Sequence, residues 1–275
     1  MSVNSVNTNR QAVFALQSLN QTTSDLGTVQ KRVSTGYRVA DARDDGGAFA
    51  VAQAVRSDIA GVTAVNEQLG GVKGVLQTTF AALSVVSDTM KQARTTLTRL
   101  ADDTIDDTQR EQYETQYSQL RTQISQFIDD AKYNGRTLLS TNTTSGGGNI
   151  VSIRNESGGS FTVNAEDGTN LQLGTSTPTD AAEATTYLNG GFADVEAAIS
   201  TALNKFGSSM QYVENQITYN TKKVDALNDG LGALVDADLA KESSNLQALQ
   251  TRQQLGTQTL SLANQGPQVL LSLFR

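Results

Sequence analysis

The chain has 275 residues, enough for one large domain or two ordinary ones, of which 37% are hydrophobic and 5% aromatic. It contains no His, Cys or Trp, which excludes His or thiolate metal sites, Ser/His/Asp and Cys/His nucleophiles, iron–sulfur clusters and disulfides. The formal charge of −7, from 21 Lys plus Arg against 28 Asp plus Glu, disfavours nucleic acid and anionic membranes as main partners. No uninterrupted apolar run approaches the roughly 18 residues a membrane-spanning helix needs. The first ten residues lack an early basic cluster, and Gln11, Gln17 and Asn20 break the weakly apolar stretch that follows. No cleaved secretory signal is therefore expected. These features fit a cytoplasmic protein or one exported by a route that reads no cleaved peptide.

In chain order, a first helical block carries a seven-residue seam at Ala12, Leu16, Leu19, Thr23, Leu26, Gln30 and Val33, ending at Gly36. Asp44-Asp45-Gly46-Gly47 separates it from a long helix that extends back to about Ala48. One heptad position of that helix reads Val62, Leu69, Leu76, Leu83, Met90 and Leu97. The position three residues on reads Val65, Val72, Thr79, Val86, Ala93 and Leu100, so eleven of the twelve are apolar. A 3,4 spacing sustained over six heptads predicts a long helix with a narrow seam buried against partner helices. Gly70, Gly71 and Gly74 lie inside it, each costing about 1 kcal/mol relative to Ala, so packing is expected to offset them.

A second helix follows the acidic stretch Asp102 to Asp107, with a seam at Tyr113, Tyr117, Leu120, Ile124, Phe127 and Ala131 and a stop at Asn134-Gly135. Residues 141–190 are rich in Thr, Ser, Gly and Asn. Alternating runs at Asn149 to Arg154, Ser160 to Ala165 and Asn170 to Leu173 predict a small β-meander, and Gly146 to Gly148 is expected to be a linker. Helical periodicity resumes near Phe192, with a seam at Leu203, Phe206, Met210, Val213, Ile217, Asn220, Val224, Leu227, Leu231 and Leu234. Asp238 breaks the phase, and a new seam reads Leu239, Leu246, Leu249, Gln253, Gly256, Leu260 and Ala263. The expected fold is mainly α: a long coiled-coil helical hairpin or bundle with paired terminal helices and a small β-rich outer segment.

Both ends carry a family signature. Val6-Asn7-Thr8-Asn9, Arg32-Val-Ser-Thr-Gly36, Arg38-Val39 and Asp44-Asp45 at one end resemble that of bacterial flagellins. So do Val235 to Glu242, Gln253-Gln254, Gly256, Ala263-Asn-Gln265, Pro267-Gln268 and the closing Leu270 to Arg275 at the other, with Gln77-Thr-Thr79 and Tyr133-Asn-Gly135 between them. The resemblance covers everything except the middle segment. It implies a filament subunit secreted unfolded through the flagellar type III pathway without a cleaved signal peptide, and polymerised into an extracellular tube for swimming. Residues 1–43 and 236–275 would then be the terminal helix pair of the inner core, 44–140 and 191–235 the helical bundle, and 141–190 the variable outer segment. The implied partners are the chain itself, alone or mixed with other flagellins, an export chaperone, and hook-associated junction and cap proteins, with no nucleic acid, no membrane and no cofactor.

For the polymerisation core this points to Leu16, Leu19, Leu26, Val33, Leu239, Leu246, Leu249, Leu260, Leu270, Leu273 and Phe274. Thr23, Gln30, Gln253 and Gly256 in the same seams equip the terminal helices poorly to hold together alone, which favours folding coupled to assembly. The carboxylates Asp41, Asp44, Asp45, Asp236, Asp238 and Glu242 lack EF-hand spacing and sit where helices break. Together with Arg32, Arg38 and Arg43 they read as caps or salt bridges rather than an acid/base pair. Thr141, Thr143, Thr144, Ser145 and Ser160 are hydroxyls that O-glycans could modify, plain solvated loops being the leading reading. Many family members present an Arg and a Leu on the long helix to the innate immune receptor. The matching positions here are Gln92 and Thr96, while Arg94 is retained, which implies weak receptor activation. The alternatives are a hook-filament junction protein, a flagellin-like surface adhesin, and a flagellin carrying a zinc protease, the last eliminated by the absence of His.

Overall fold

The computed structural model describes residues 9–273, and side chains through residue 265. The described residues form α1 (Arg10–Thr35), α2 (Gly46–Leu100), α3 (Asp107–Asp129), β1 (Ile150–Ile153), β2 (Ser160–Val163), α4 (Ala181–Asn189), α5 (Gly191–Val235) and α6 (Leu239–Leu273). Among the described residues the protein is mainly helical, with one two-stranded sheet. It divides into two compact units, Met1–Ser57 with Ala226–Arg275 and Asp58–Asp225.

In the unit Asp58–Asp225, all twelve seam residues of α2 are buried. This includes Thr79, whose hydroxyl donates to the Val75 carbonyl at 2.8 Å, so its polar atom is satisfied inside the helix. Thr63, Thr78, Thr89, Thr95, Thr96 and Thr98 of α2 bond their own helix four residues back in the same way. Thr22, Thr23 and Thr28 of α1 and Thr251 and Thr259 of α6 repeat the pattern. One 18-residue window of α2 reaches a mean hydropathy of 1.3, apolar enough by composition to cross a membrane. Its seam residues lie in the core of this unit.

The core that closes over the α2 seam comes from α3 (Tyr117, Leu120, Ile124, Ile128), α5 (Phe192, Ile199, Ala202, Phe206, Val213), Ala184 of α4, and Leu138, Leu139, Val163, Leu171 and Leu173 between α3 and α4. On α3, Ile128 rather than Phe127 completes the buried face, and Phe127 is exposed. The α5 seam extends upstream at seven-residue steps to Ile199 and Phe192, both buried. Buried Asn220 is satisfied by Gln216 and by the Arg154 carbonyl.

The segment between α3 and α5 differs from the expected meander. β1 and β2 pair antiparallel with Ile150 opposite Val163 and Ile153 opposite Ser160, but the third run forms a 3-10 turn at Gly168–Leu171. There Asp167 caps the backbone N–H of Thr169, a bond within the turn that competes with extension into a third strand. Asp180 caps a further helix, α4, through the N–H of Glu183 at 2.7 Å. Asn134 and Gly135, both at positive φ, form a two-residue turn closed by Tyr133 and Arg136, and α3 has already ended at Asp129.

Gly146 to Gly148 is a packed junction rather than a linker. The N–H groups of Gly147 and Gly148 donate to the carbonyls of Asn142 and Ser140, and the Gly146 carbonyl accepts from Thr137. A Cβ at Gly147 would stand 2.3 Å from the Ser140 carbonyl oxygen, and one at Gly146 1.9 Å from that of Gly135. Within α2, Gly74 lies under the Tyr133 ring, whereas Gly70 and Gly71 face open space. Packing therefore accounts for one of these three helix glycines. Gly70→Ala is expected to raise stability by about 1 kcal/mol, and Gly147→Ala to lower it by about 1–3 kcal/mol through forced backbone movement. Denaturant unfolding of the full chain followed by circular dichroism checks both.

Candidate functional site

The unit Met1–Ser57 with Ala226–Arg275 is built on α1 packed against α6. Asn9 caps α1 by accepting from the Ala12 N–H at 3.1 Å, and its amide donates to the Ala263 carbonyl at 2.7 Å. Gly36, at φ 75°, ends α1 in the left-handed conformation that glycine adopts without strain. Arg32 meets Glu242 at 3.2 Å, and a Cβ at Gly256 would stand 3.1 Å from Leu19 Cδ1. The two helices therefore run antiparallel, with residue 9 beside 263, 19 beside 256 and 32 beside 242.

The face that α1 turns to α6 shares four of the seven expected seam residues. Leu26 is buried, and Ala12, Leu19 and Val33 are half-buried, but Ala15, Thr22 and Val29 complete the stripe. Leu16, Thr23 and Gln30, one residue further on, are exposed. The signal was present in the sequence, since Ala15, Thr22 and Val29 are on balance as apolar as Leu16, Thr23 and Gln30 and keep the same spacing. On α6, Leu246, Leu249, Gln253, Gly256, Leu260 and Ala263 are half-buried, Glu242 is buried, and Leu239 is exposed. The side chains of Leu270 and Leu273, and Phe274 altogether, lie outside the described residues.

What this pairing leaves open is apolar. Val13 is 63% exposed, Phe14 69%, Leu255 55% and Leu262 69%. An open depression of about 470 Å³ lies on the outer face of α1, lined by Val13, Leu16, Gln17, Asn20 and Gln21. Sequence reasoning missed Val13, Phe14, Leu255 and Leu262 because they fall outside the seams, although Leu255 and Leu262 are themselves one heptad apart.

The connection from α1 to α2 is held by charge. Lys31 reaches Asp41 at 2.9 Å and Asp44 at 2.7 Å, and Arg43 reaches Asp41 at 3.1 Å. Asp44 also accepts from the N–H groups of Ala40 and Asp41. Asp45 caps α2 through Gly47 and Ala48, and Asp238 caps α6 through Ala240 and Lys241. Arg38 donates to the Leu234 carbonyl rather than to a carboxylate, and Asp236 pairs through its backbone with Tyr37. Val39, Ala52 and Val235 form a small separate core beside this bridge. Lys31, the central cation, was not singled out by the sequence reading, because its partners lie ten and thirteen residues away across the turn.

Hydrogen bonds from Lys31, then from Arg43, hold the Asp41 carboxyl well below the usual carboxylate range, and the hydrogen bond from Lys31 lowers that of Asp44. Carboxyls with a folded pKa below the unfolded one stabilise the fold above the unfolded value and lose that contribution as pH falls through the folded one. The Lys31 pKa is raised by Asp44 and then Asp41, so Lys31 remains a cation throughout that acid range. The stabilisation from this connection is therefore expected to start falling below roughly pH 4, the unfolded value, and to be gone only once pH has passed below the lowered folded values. Wild type should exceed Lys31→Met in melting temperature at neutral pH, and the difference should shrink toward zero as the carboxylates protonate.

The five candidate hydroxyls Thr141, Thr143, Thr144, Ser145 and Ser160 are exposed. On α2, Gln92 is exposed, Arg94 pairs with Glu196, and Thr96 is only 3% exposed. Among the described residues no group of three or more Asp or Glu is placed to hold a metal ion.

A family model described as the bacterial flagellin N-terminal helical region matches residues 6–144, and one described as the bacterial flagellin C-terminal helical region matches residues 193–274. Flagellin FljK of Caulobacter vibrioides is 37% identical over the whole of both chains. A flagellin of Brucella melitensis is 32% identical over 98% of this chain and 99% of its own. Among solved structures, Bacillus cereus flagellin shares the fold with a TM-score of 0.52 at 24% identity, over 56% of this chain and 88% of its own.

Proposed function

Because the chain belongs to the bacterial flagellins, and is thus a structural subunit of the extracellular flagellar filament rather than an enzyme, we propose that copies join mainly through the open faces of α1 and α6. The observation that carries this is the exposed apolar set Val13, Phe14, Leu16, Leu255 and Leu262 on a helix pair in which α1 buries only Leu26 and Val29. Fully burying one such side chain is worth roughly 1.5–3 kcal/mol. Two helices closed on each other along one seam leave most of that gain to be made by a neighbour.

On this reading residues 1–43 and 236–275 form the inner wall of the filament, residues 44–140 and 191–235 the bundle around it, and residues 141–190 the outward segment. Leu270, Leu273 and Phe274 extend the same apolar character to the end of the sequence. A chain without Cys or His can be threaded unfolded through an export channel with no disulfide or tightly bound metal to undo, which supports type III secretion of the unfolded chain. Such a subunit would meet an export chaperone before assembly, and junction and cap proteins at the filament's ends.

Deleting residues 1–30 or 245–275 is expected to leave a folded unit that does not polymerise, since Asp58–Asp225 has a core of its own. Phe14→Asp or Leu262→Asp should raise the critical concentration for assembly by roughly tenfold or more, from the loss of one buried apolar side chain, with little change in monomer helicity. Sedimentation and electron microscopy of seeded protein read both outcomes, and filaments from either truncation would refute the proposal. A second expectation concerns immune recognition. With Gln92 in place of an Arg and Thr96 held inside the core, activation of cells bearing the innate flagellin receptor should be weak; full activation at low concentration would contradict it.

A further inference from the structure

We infer that the Arg32–Glu242 ion pair and the notch formed by Gly256 against Leu19 together lock the axial register of α1 on α6. Glu242 occupies an apolar heptad position, three residues after Leu239 and four before Leu246, yet it is buried. One oxygen meets Arg32 at 3.2 Å, and the other is buried without a hydrogen-bond partner among the described residues. A leucine there would bury more apolar surface at no such cost. A polar residue kept in a seam at a cost in stability is one means by which paired helices select a single alignment. Gly256 is the steric counterpart, because a Cβ there would stand 3.1 Å from Leu19 Cδ1, close enough that the leucine would have to give way, and a larger side chain would have to displace it further.

Counting along both helices from that notch places Ala15 level with Leu260, Thr22 with Gln253, Leu26 with Leu249, and Val29 with Leu246. Ala15 and Gly256 then each oppose a leucine, and Thr22 opposes Gln253. A slip of one heptad, about 10 Å, destroys this match in either direction. One slip brings Glu242 level with Leu26 and Leu19 level with Leu249. The other places Glu242 beyond the end of α1, away from Arg32, and sets Gln253 against Val29. The large apolar residues alone do not discriminate, since Leu26, Val29, Leu246 and Leu249 pack acceptably against one another in several alignments. The native register also keeps Val13 level with Leu262, so that the exposed apolar residues of the two helices stand at the same end of the pair. The use of the lock in joining copies rests on the function proposed above; the lock itself does not.

The absence of native Cys allows the register to be read in the full chain by introduced disulfides. Ala12→Cys with Ala263→Cys reports the native alignment, and Ala15→Cys with Gln253→Cys and Val29→Cys with Gln253→Cys report the two slips. In an otherwise wild-type chain the native pair should close within one molecule roughly tenfold faster or more than either slipped pair, as expected for loss of a charged hydrogen bond. Glu242→Arg should bring a slipped pair to a comparable rate, and adding Arg32→Glu should restore native preference. If Glu242→Arg abolishes helicity by circular dichroism, Gly256→Leu provides the same reading through the notch. Equal rates for all three pairs in the wild-type background would show that no register is fixed and overturn the inference; an unaltered native preference in both lock variants would overturn it too and leave register to the Tyr37–Asp236 bridge and the Asn9–Ala263 hydrogen bond. Sedimentation of the same variants separates the two proposals. A slipped register with normal assembly refutes joining through this face and leaves the lock standing.

Discussion

A 3,4 seam is only about two side chains wide, and a helix of 55 residues that carries one must be covered along its length by something other than itself. Much else in the unit Asp58–Asp225 answers that demand. α3 and α5 bring their own stripes, and the residues between α3 and α4 contribute Leu138, Leu139, Val163, Leu171 and Leu173 to the same core. The small sheet is therefore part of the closure and not an appendage. The tight packing of Gly147 against Ser140, and of Gly168 against the Leu139 carbonyl, shows how closely that stretch of backbone is drawn together. Lys205 to Glu166 and Lys223 to Glu156 tie it to α5 by ion pairs.

The terminal helices face the same geometric demand with fewer partners. α1 and α6 cover one seam between them and expose apolar side chains elsewhere, at Val13, Phe14, Leu255 and Leu262. Their ends near the chain's interior are fixed by specific contacts: Lys31 with its two aspartates, the backbone bridge from Tyr37 to Asp236, and the small core of Val39, Ala52 and Val235. Directional bonds are thus concentrated at one end of the pair, while the other end relies on the Asn9 to Ala263 hydrogen bond and a seam containing Ala, Thr, Gln and Gly. A subunit built in this way gains much of its hydrophobic stabilisation only when its surfaces meet neighbours.

Periodicity revealed what depends on periodicity. The twelve α2 seam residues could be read directly because a strict 3,4 repeat over six heptads leaves one phase available, and the break at Asp238 was visible as a one-residue slip. α1 was only half legible. Its two candidate phases share Ala12, Leu19, Leu26 and Val33, and the choice between Leu16 and Ala15 is made by α6, which needs a small residue opposite Leu260. The third strand was misread because Asn170 to Leu173 alternates like a strand, while the Asp167 side chain bonds the backbone two residues on and curls the chain into a 3-10 turn. Lys31 was missed for a different reason. Ion pairs across a turn leave no spacing signature, and the flanking arginines were the more conspicuous cations.

The helical threonines alter the meaning of a modest apolar content. A hydroxyl that donates to the carbonyl four residues back no longer needs water to satisfy its proton, and the side chain can then present its methyl group outward. Thr22, Thr28, Thr251 and Thr259 on α1 and α6 are in this state. Surfaces bearing them can be dehydrated without leaving a donor unmatched. Such a helix remains soluble while it is alone and can still pack dry when it is crowded, without replacing a single residue by leucine.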